Sequence, residues 1–182
     1  MPLVEGSPES AVRVVIYENL QCGDCLALRH MLDHQILPKF ATAVAFEHHD
    51  FPLAKHIWSR PASIAARYVE VHHPFLALAF RRFALENIQR VRQSGFETLL
   101  KEWCGHHDLN AVQVIAALAE TQFAVAVEDD YKQGVARGVQ KTPTIFIGDE
   151  ILIETFTAEE LSGAIEKALK LEAAGSNNIC LG

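Results

Sequence analysis

Six residues, Val12-Arg13-Val14-Val15-Ile16-Tyr17, lead through Glu18-Asn19-Leu20-Gln21 directly into Cys22-Gly23-Asp24-Cys25. A β-branched run bounded by polar residues predicts a buried strand. Beyond the cysteines, Leu26, Leu28, Met31, Leu32, Gln35 and Ile36 recur at helical spacing. That spacing predicts a helix starting near Cys22 and ending or kinking before Pro38. Strand, cysteine pair and helix form one continuous unit, and the rest of the fold must accommodate it.

A second strand is expected at 43–48, with Asp50-Phe51-Pro52-Leu53 turning out of the sheet because proline cannot donate to a ladder. About seventy residues of helical pattern follow. Ile64, Ala65, Tyr68 and Val69 make one apolar face, Leu76, Phe80, Phe83, Ile88 and Val91 a second, and Phe96, Leu99, Leu100 and Trp103 a third. Val112, Ile115, Ala119 and Phe123 make the last. The chain then returns to alternating structure. A helix is expected around Tyr131 to Arg137, then a turn at Gly138, a strand at Thr144-Ile145-Phe146-Ile147, and a hairpin through Gly148-Asp149 into Glu150-Ile151-Leu152-Ile153. Thr157-Ala158-Glu159-Glu160 reads as a capping box opening a final helix through Leu161, Ile165, Ala168 and Leu169, with Ala173 to Gly182 as a mobile tail. The pattern combines a parallel crossover with a hairpin. It predicts an α/β fold with a mixed central sheet, built from residues 1–55 and 128–182, and a helical insertion at 56–127.

The 182 residues and 20.2 kDa suit one domain, with or without an inserted subdomain. At 49% apolar and 21% charged, the chain can bury a core without a disulfide staple. Lys and Arg number 16 against 23 Asp and Glu, a net charge of −7 with no basic run, so nucleic acid and anionic membrane surfaces are excluded as partners. Polar residues interrupt every apolar stretch well short of the roughly 18 to 20 residues of a membrane span, which predicts a soluble chain. Met1 to Ser10 lack a basic start, an apolar stretch and a cleavage site. This predicts a cytoplasmic location, or a periplasmic one if an export signal has been removed.

Exchange chemistry needs a thiolate, and the first turn of a helix offers free N–H groups and the positive end of the macrodipole to stabilise one. Cys22 is placed there. Cys25, three residues on, is close enough to close a disulfide with it and to resolve a mixed disulfide. Other readings remain open. The pair could be half a zinc site, for which Cys104-Gly105-His106-His107 could supply ligands on paper, or it could be coincidence. A position between strand and helix favours redox chemistry.

The segments 14–25, 50–53 and 138–147, in that order around a helical stretch, resemble the DsbA-like branch of the thioredoxin superfamily over nearly the whole chain. The resemblance implies a thioredoxin fold with Cys22 as nucleophile, Cys25 as resolving thiol and Pro143 as a cis-proline beside them. It further implies that the Thr142 backbone bonds an extended substrate strand, and that Glu18 occupies a commonly acidic position. There it could accept the Cys25 proton, provided burial raises its pKa. Gly23 and Asp24 are the spacer that tunes the potential. An acidic Asp24 opposes the thiolate, which predicts a reductase or isomerase with a potential of roughly −200 to −270 mV.

The expected partners are therefore protein thiols or disulfides, or a small thiol such as glutathione. No cofactor or metal is expected beyond the Cys22-Cys25 dithiol itself. Two alternatives stand. One is a glutathione-dependent isomerase or transferase on the same scaffold, a branch that typically has serine where this chain keeps both cysteines. The other is a zinc-binding or redox-sensing module. His48-His49, His72-His73 and His106-His107 read as solvated or capping residues, because neighbours on an element point in different directions. Cys104 reads as a buried helix residue. Cys180, in the tail, could crosslink chains.

Overall fold

The sheet is organised around the strand that leads to the cysteines. A computed structural model describes residues 3–179, so the reading of Cys180 lies outside the described residues. Strands β1 (Leu3–Gly6), β2 (Arg13–Glu18), β3 (Ala45–Asp50), β4 (Thr144–Ile147) and β5 (Glu150–Ile153) form one mixed sheet in the order β1-β3-β2-β4-β5. The central β2 runs parallel to β3, with Arg13 opposite Ala45 and Glu18 opposite Asp50. It runs antiparallel to β4, with Tyr17 opposite Thr144. That second register brings the chain entering β4 alongside the chain leaving β2.

Helix α1 (Gly23–Met31) continues through a π-helical turn at Leu32–Ile36 into α2 (Leu37–Phe40). The break expected before Pro38 takes this form. A widened turn precedes the proline, which then sits in the first turn of α2, where its missing N–H is not needed. Leu28, Leu32 and Ile36 from this segment, with Leu161 and Ile165 of α9 (Ala158–Ile179), cover the sheet face formed by Val14, Ile16, Phe46, Ile145 and Ile147.

Between β3 and β4 lie α3 (Ser59–His72), α4 (Ala77–Glu86), α5 (Ile88–Ser94), α6 (Phe96–His106), α7 (Ala111–Ala116) and α8 (Thr121–Ala136). The second apolar stripe is divided between α4 and α5 at Asn87. Trp58, Phe80, Leu100 and Trp103 are buried in a core of their own, which also encloses Leu20, Cys22 and Cys25. The helix expected at 131–137 is the end of the longer α8, which runs unbroken through residues 127 and 128 and packs on the other sheet face. Gly134 allows this approach, since a Cβ there would lie 2.6 Å from the Phe51 ring and 3.0 Å from that of Tyr17.

Three expectations need correction. Strand β1 had no sequence signal: it is four residues long, half exposed and on the sheet edge. The starts of β2 and β3 fall one and two residues later than their apolar patterns suggest, with Glu18 and Asp50 drawn in by burial. Residues 173–179 are helical, with no proline after the capping box to end α9. Among the described residues no single helix is long and apolar enough to cross a membrane.

Candidate active site

Strand β2 ends at Glu18, and after Asn19, Leu20 and Gln21 the chain turns into α1 at its N-cap, Cys22. Asn19, fully buried, holds that turn. Its side-chain carbonyl accepts from the Gln21 N–H at 3.0 Å and the Ser59 hydroxyl at 2.5 Å, while its amide nitrogen lies 2.7 Å from His56 Nδ1. Gln21 Oε1 in turn accepts the Trp58 N–H at 2.9 Å. The turn before the cysteines is thus pinned to the start of α3. An asparagine two residues before the first turn position it bonds is an Asx-turn signal that sequence reasoning passed over.

Cys22 is the N-cap of α1, in extended conformation, with its N–H donating to Asn19 O at 2.9 Å. Both cysteines are free thiols. Cys22 is 7% exposed and Cys25 wholly buried, so Cys22 is the more accessible although neither thiol stands out in solvent. The Cys25 thiol donates to the Cys22 sulfur and, against the opposing effect of burial and with the backbone N–H groups of Cys25 and Asp24, holds Cys22 down at about 6. Burial, helped by the Cys22 charge it faces, pushes Cys25 well above the usual thiol range although Asn19 N–H donates to its sulfur at 3.4 Å. The Asp24 side chain is exposed; it is the Asp24 backbone that stabilises the thiolate. Gly23 is likewise exposed.

Alkylation of the reduced protein is therefore expected to label Cys22 first, with a rate that rises through a midpoint near pH 6. Mass mapping of the labelled peptide checks this. Labelling of Cys25 ahead of Cys22, or a midpoint in the ordinary thiol range, would reverse the assignment.

The antiparallel β2/β4 register sets Thr142 and Pro143 against this pair. The Thr142-Pro143 bond is cis, as the resemblance implied. Cys22 Sγ lies 3.2 Å from the Thr142 carbonyl, to which the protonated thiol donates.

Glu18 is buried, and the condition attached to it fails. Burial would raise its carboxyl, but Arg81 Nε at 2.9 Å and His48 Nδ1 at 3.1 Å hold it well below the usual carboxylate range. A carboxylate that weakly basic is a poor acceptor for the Cys25 proton. Its charge instead adds to the forces keeping Cys25 protonated.

The pairing extends further. Arg81 Nη2 donates to Asp50 at 2.8 Å, Arg67 Nε donates to the other Asp50 oxygen at 2.8 Å, and Arg67 also reaches Asp130. His48 and His49 belong to this network rather than to solvent. His48 lies between Glu18 and Glu5, and His49 Nδ1 is 3.1 Å from Asp130, because β3 turns both into buried surroundings. His72 and His106 are exposed, as expected, and His107 rests against the Trp103 ring. Sequence reasoning missed Arg67, Arg81 and Asp130. Their only signal was charge next to positions of an apolar stripe, such as Arg81 after Phe80.

Cys104 is buried on α6, as expected. Among the described residues no three His, Cys, Asp or Glu side chains converge as a metal site, so Cys104, His106 and His107 do not complete one around the pair.

A family model described as Thioredoxin matches residues 1–167. No curated protein sequence matches. Among solved structures, alpha-DsbA1 from Wolbachia pipientis superposes with a TM-score of 0.82 at 14% identity, covering 96% of this chain and 94% of that one. The thiol-disulfide exchange protein alpha-DsbA2 from the same organism gives 0.76 at 17%, covering 91% and 86%. A periplasmic thioredoxin-like protein from Salmonella enterica serovar Typhimurium gives 0.71 at 21%, covering 93% and 90%. With the cysteine pair at the head of α1, the cis-proline facing it and helices inserted between β3 and β4, the chain belongs to the thioredoxin family and has its DsbA-like fold.

Proposed function

We propose that this protein is a thiol-disulfide oxidoreductase acting on protein substrates. The observation that carries this is the division between the two cysteines: Cys22 held near 6 at the mouth of the site, Cys25 beneath it and held protonated. The Cys22 thiolate attacks a substrate disulfide, forming a mixed disulfide and releasing one substrate thiolate. In the mixed disulfide Cys22 no longer carries the charge that helped keep Cys25 protonated; Cys25 passes its proton to the departing substrate sulfur as it attacks the Cys22 sulfur, releasing the second substrate thiol and leaving the Cys22-Cys25 disulfide. Two electrons pass to the substrate, and the reverse sequence oxidises a dithiol. The site needs no group beyond the pair for this. The Thr142 backbone beside cis-Pro143 is the surface against which an extended substrate strand would lie. Reduction of an insulin disulfide with glutathione as electron source tests the activity, and no turnover above background would overturn it.

The potential bears on direction. Thioredoxin combines a cysteine near 7 with about −270 mV, and DsbA one near 3.5 with about −120 mV. A value near 6 lies closer to the thioredoxin end of that pair, in the direction expected from Asp24. A reductase or isomerase leaning follows. Glutathione redox titration is expected to give roughly −200 to −270 mV, and Asp24→His a less negative value. A wild-type potential above about −150 mV, or one unmoved by Asp24→His, would overturn the reading.

The compartment we propose is the periplasm. The Salmonella relative is periplasmic by description, whereas the N-terminal residues alone led to a cytoplasmic expectation.

A further inference from the structure

A groove runs between the first turns of α1 and the chain that follows β5. Leu28, Met31 and Phe156 are its apolar lining, and Asp24, Glu154 and Glu160 are its charged residues. No Lys, Arg or His lines it. Cys22 does not line it, but the Asp24 end of the groove lies near the reactive cysteine. Asp24 is two residues past Cys22, and the Glu154 N–H donates at 2.8 Å to the carbonyl of Pro143, next to the Thr142 carbonyl that meets Cys22 Sγ. Lys141, at 2.7 Å, pairs with Glu154 at the surface and offsets its charge, so the negative charge of the rim rests on Asp24 and Glu160, which have no ion pair among the described residues. Glu160 caps α9 by accepting the Thr157 N–H at 2.7 Å. The groove therefore joins an apolar floor to a net negative rim.

We propose that this groove selects substrate segments carrying Lys or Arg within a few residues of the cysteine presented to Cys22. Apolar side chains of the segment rest on Leu28, Met31 and Phe156, and the basic ones lie over the carboxylates. Charge complementarity decides the occupant. A neutral apolar segment gains nothing from the rim, and a second copy of this chain brings its own net charge of −7 against it. The inference deepens the proposed function by naming a substrate class, and it relies on Cys22 as nucleophile for the direction in which the segment lies.

Binding without chemistry tests it. The Cys22→Ser/Cys25→Ser protein is titrated, by fluorescence anisotropy, with short labelled peptides identical except for Lys, Ser or Glu flanking a central alanine. At low ionic strength the Lys peptide is expected to bind roughly tenfold more tightly than the Glu peptide, the sum of two or three exposed charge contacts. High salt is expected to reduce the ratio to about twofold. Glu154→Gln/Glu160→Gln, added to the same protein, is expected to do the same, glutamine keeping an oxygen for the Thr157 cap. Equal binding of Lys and Ser peptides would overturn the proposal. So would a ratio insensitive to salt and to the glutamines, or occupation of the groove by self-association of the protein. Exchange plays no part in this readout. Absence of exchange by the wild-type protein would overturn the oxidoreductase reading and leave the measured charge preference standing.

Discussion

Replacing Cys22 with serine is expected to bring disulfide exchange down to the uncatalysed background. At pH 7 a thiol held near 6 is roughly nine-tenths ionised, whereas one at 9.0 is ionised to about one part in a hundred. Cys25 lies above even that, and it is fully buried, so it cannot take over as nucleophile. Serine does not ionise in this range and forms no disulfide. Cys25→Ser is expected to behave differently: attack by Cys22 survives, resolution is lost, and mixed disulfides with substrate accumulate. Non-reducing electrophoresis and intact mass show both outcomes. Exchange surviving in Cys22→Ser, or no trapped species in Cys25→Ser, would contradict the assignment. Cys104 supplies a comparison inside the same core. It is buried on α6, and burial also raises its pKa, so Cys104→Ser is expected to leave exchange intact.

The reactive pair was legible in the sequence because everything that makes it reactive is local or nearly so. A strand, a turn and the N-terminus of a helix follow one another within a dozen residues, and the hairpin that brings Thr142 and Pro143 announces itself by its own short strands. Helix periodicity likewise revealed the insertion, although not where α8 starts. What the sequence concealed is the ground on which the pair rests. Glu18 looked like a strand-end acid whose behaviour would follow from burial alone. In the fold its carboxylate meets a guanidinium from α4, more than sixty residues away, and a histidine from β3. Partners that distant carry no periodic signal, and pairing reversed the direction of the Glu18 shift. The same holds for His48 and His49. Neighbours on a strand point in different directions, so the pair read as solvated or capping residues. Here both faces of β3 are covered, one side by Glu5 and Glu18 and the other by Asp130.

Removing that guanidinium should have the largest effect on stability of any single change in the network. Arg81 is 3% exposed and bridges Glu18 and Asp50, at 2.9 and 2.8 Å. Arg81→Met leaves buried carboxylates without their shared partner, a change worth about 3 to 5 kcal/mol, a large share of a typical total of roughly 5 to 15. Arg81→Lys is expected to recover only part of it, since one ammonium lacks the fork that reaches both acids. The pH dependence separates this cause from simple loss of packing. In the wild-type protein Glu18 is held below its unfolded value of 4.5, so its contribution is present above that pH and disappears as pH falls through the folded pKa. Without Arg81 the Glu18 carboxyl loses its strongest partner and burial is opposed chiefly by His48, so its pKa is expected to rise toward the unfolded value. The stability that Glu18 gains as pH rises toward 4.5 then shrinks, so the deficit of the variant grows over that range and is full above it. Urea denaturation at acid and neutral pH is expected to show the variant nearest to wild type at the acid end and furthest from it near neutrality. A difference that stays constant across that range, or a loss of less than about 1 kcal/mol, would mean that Arg81 only fills space.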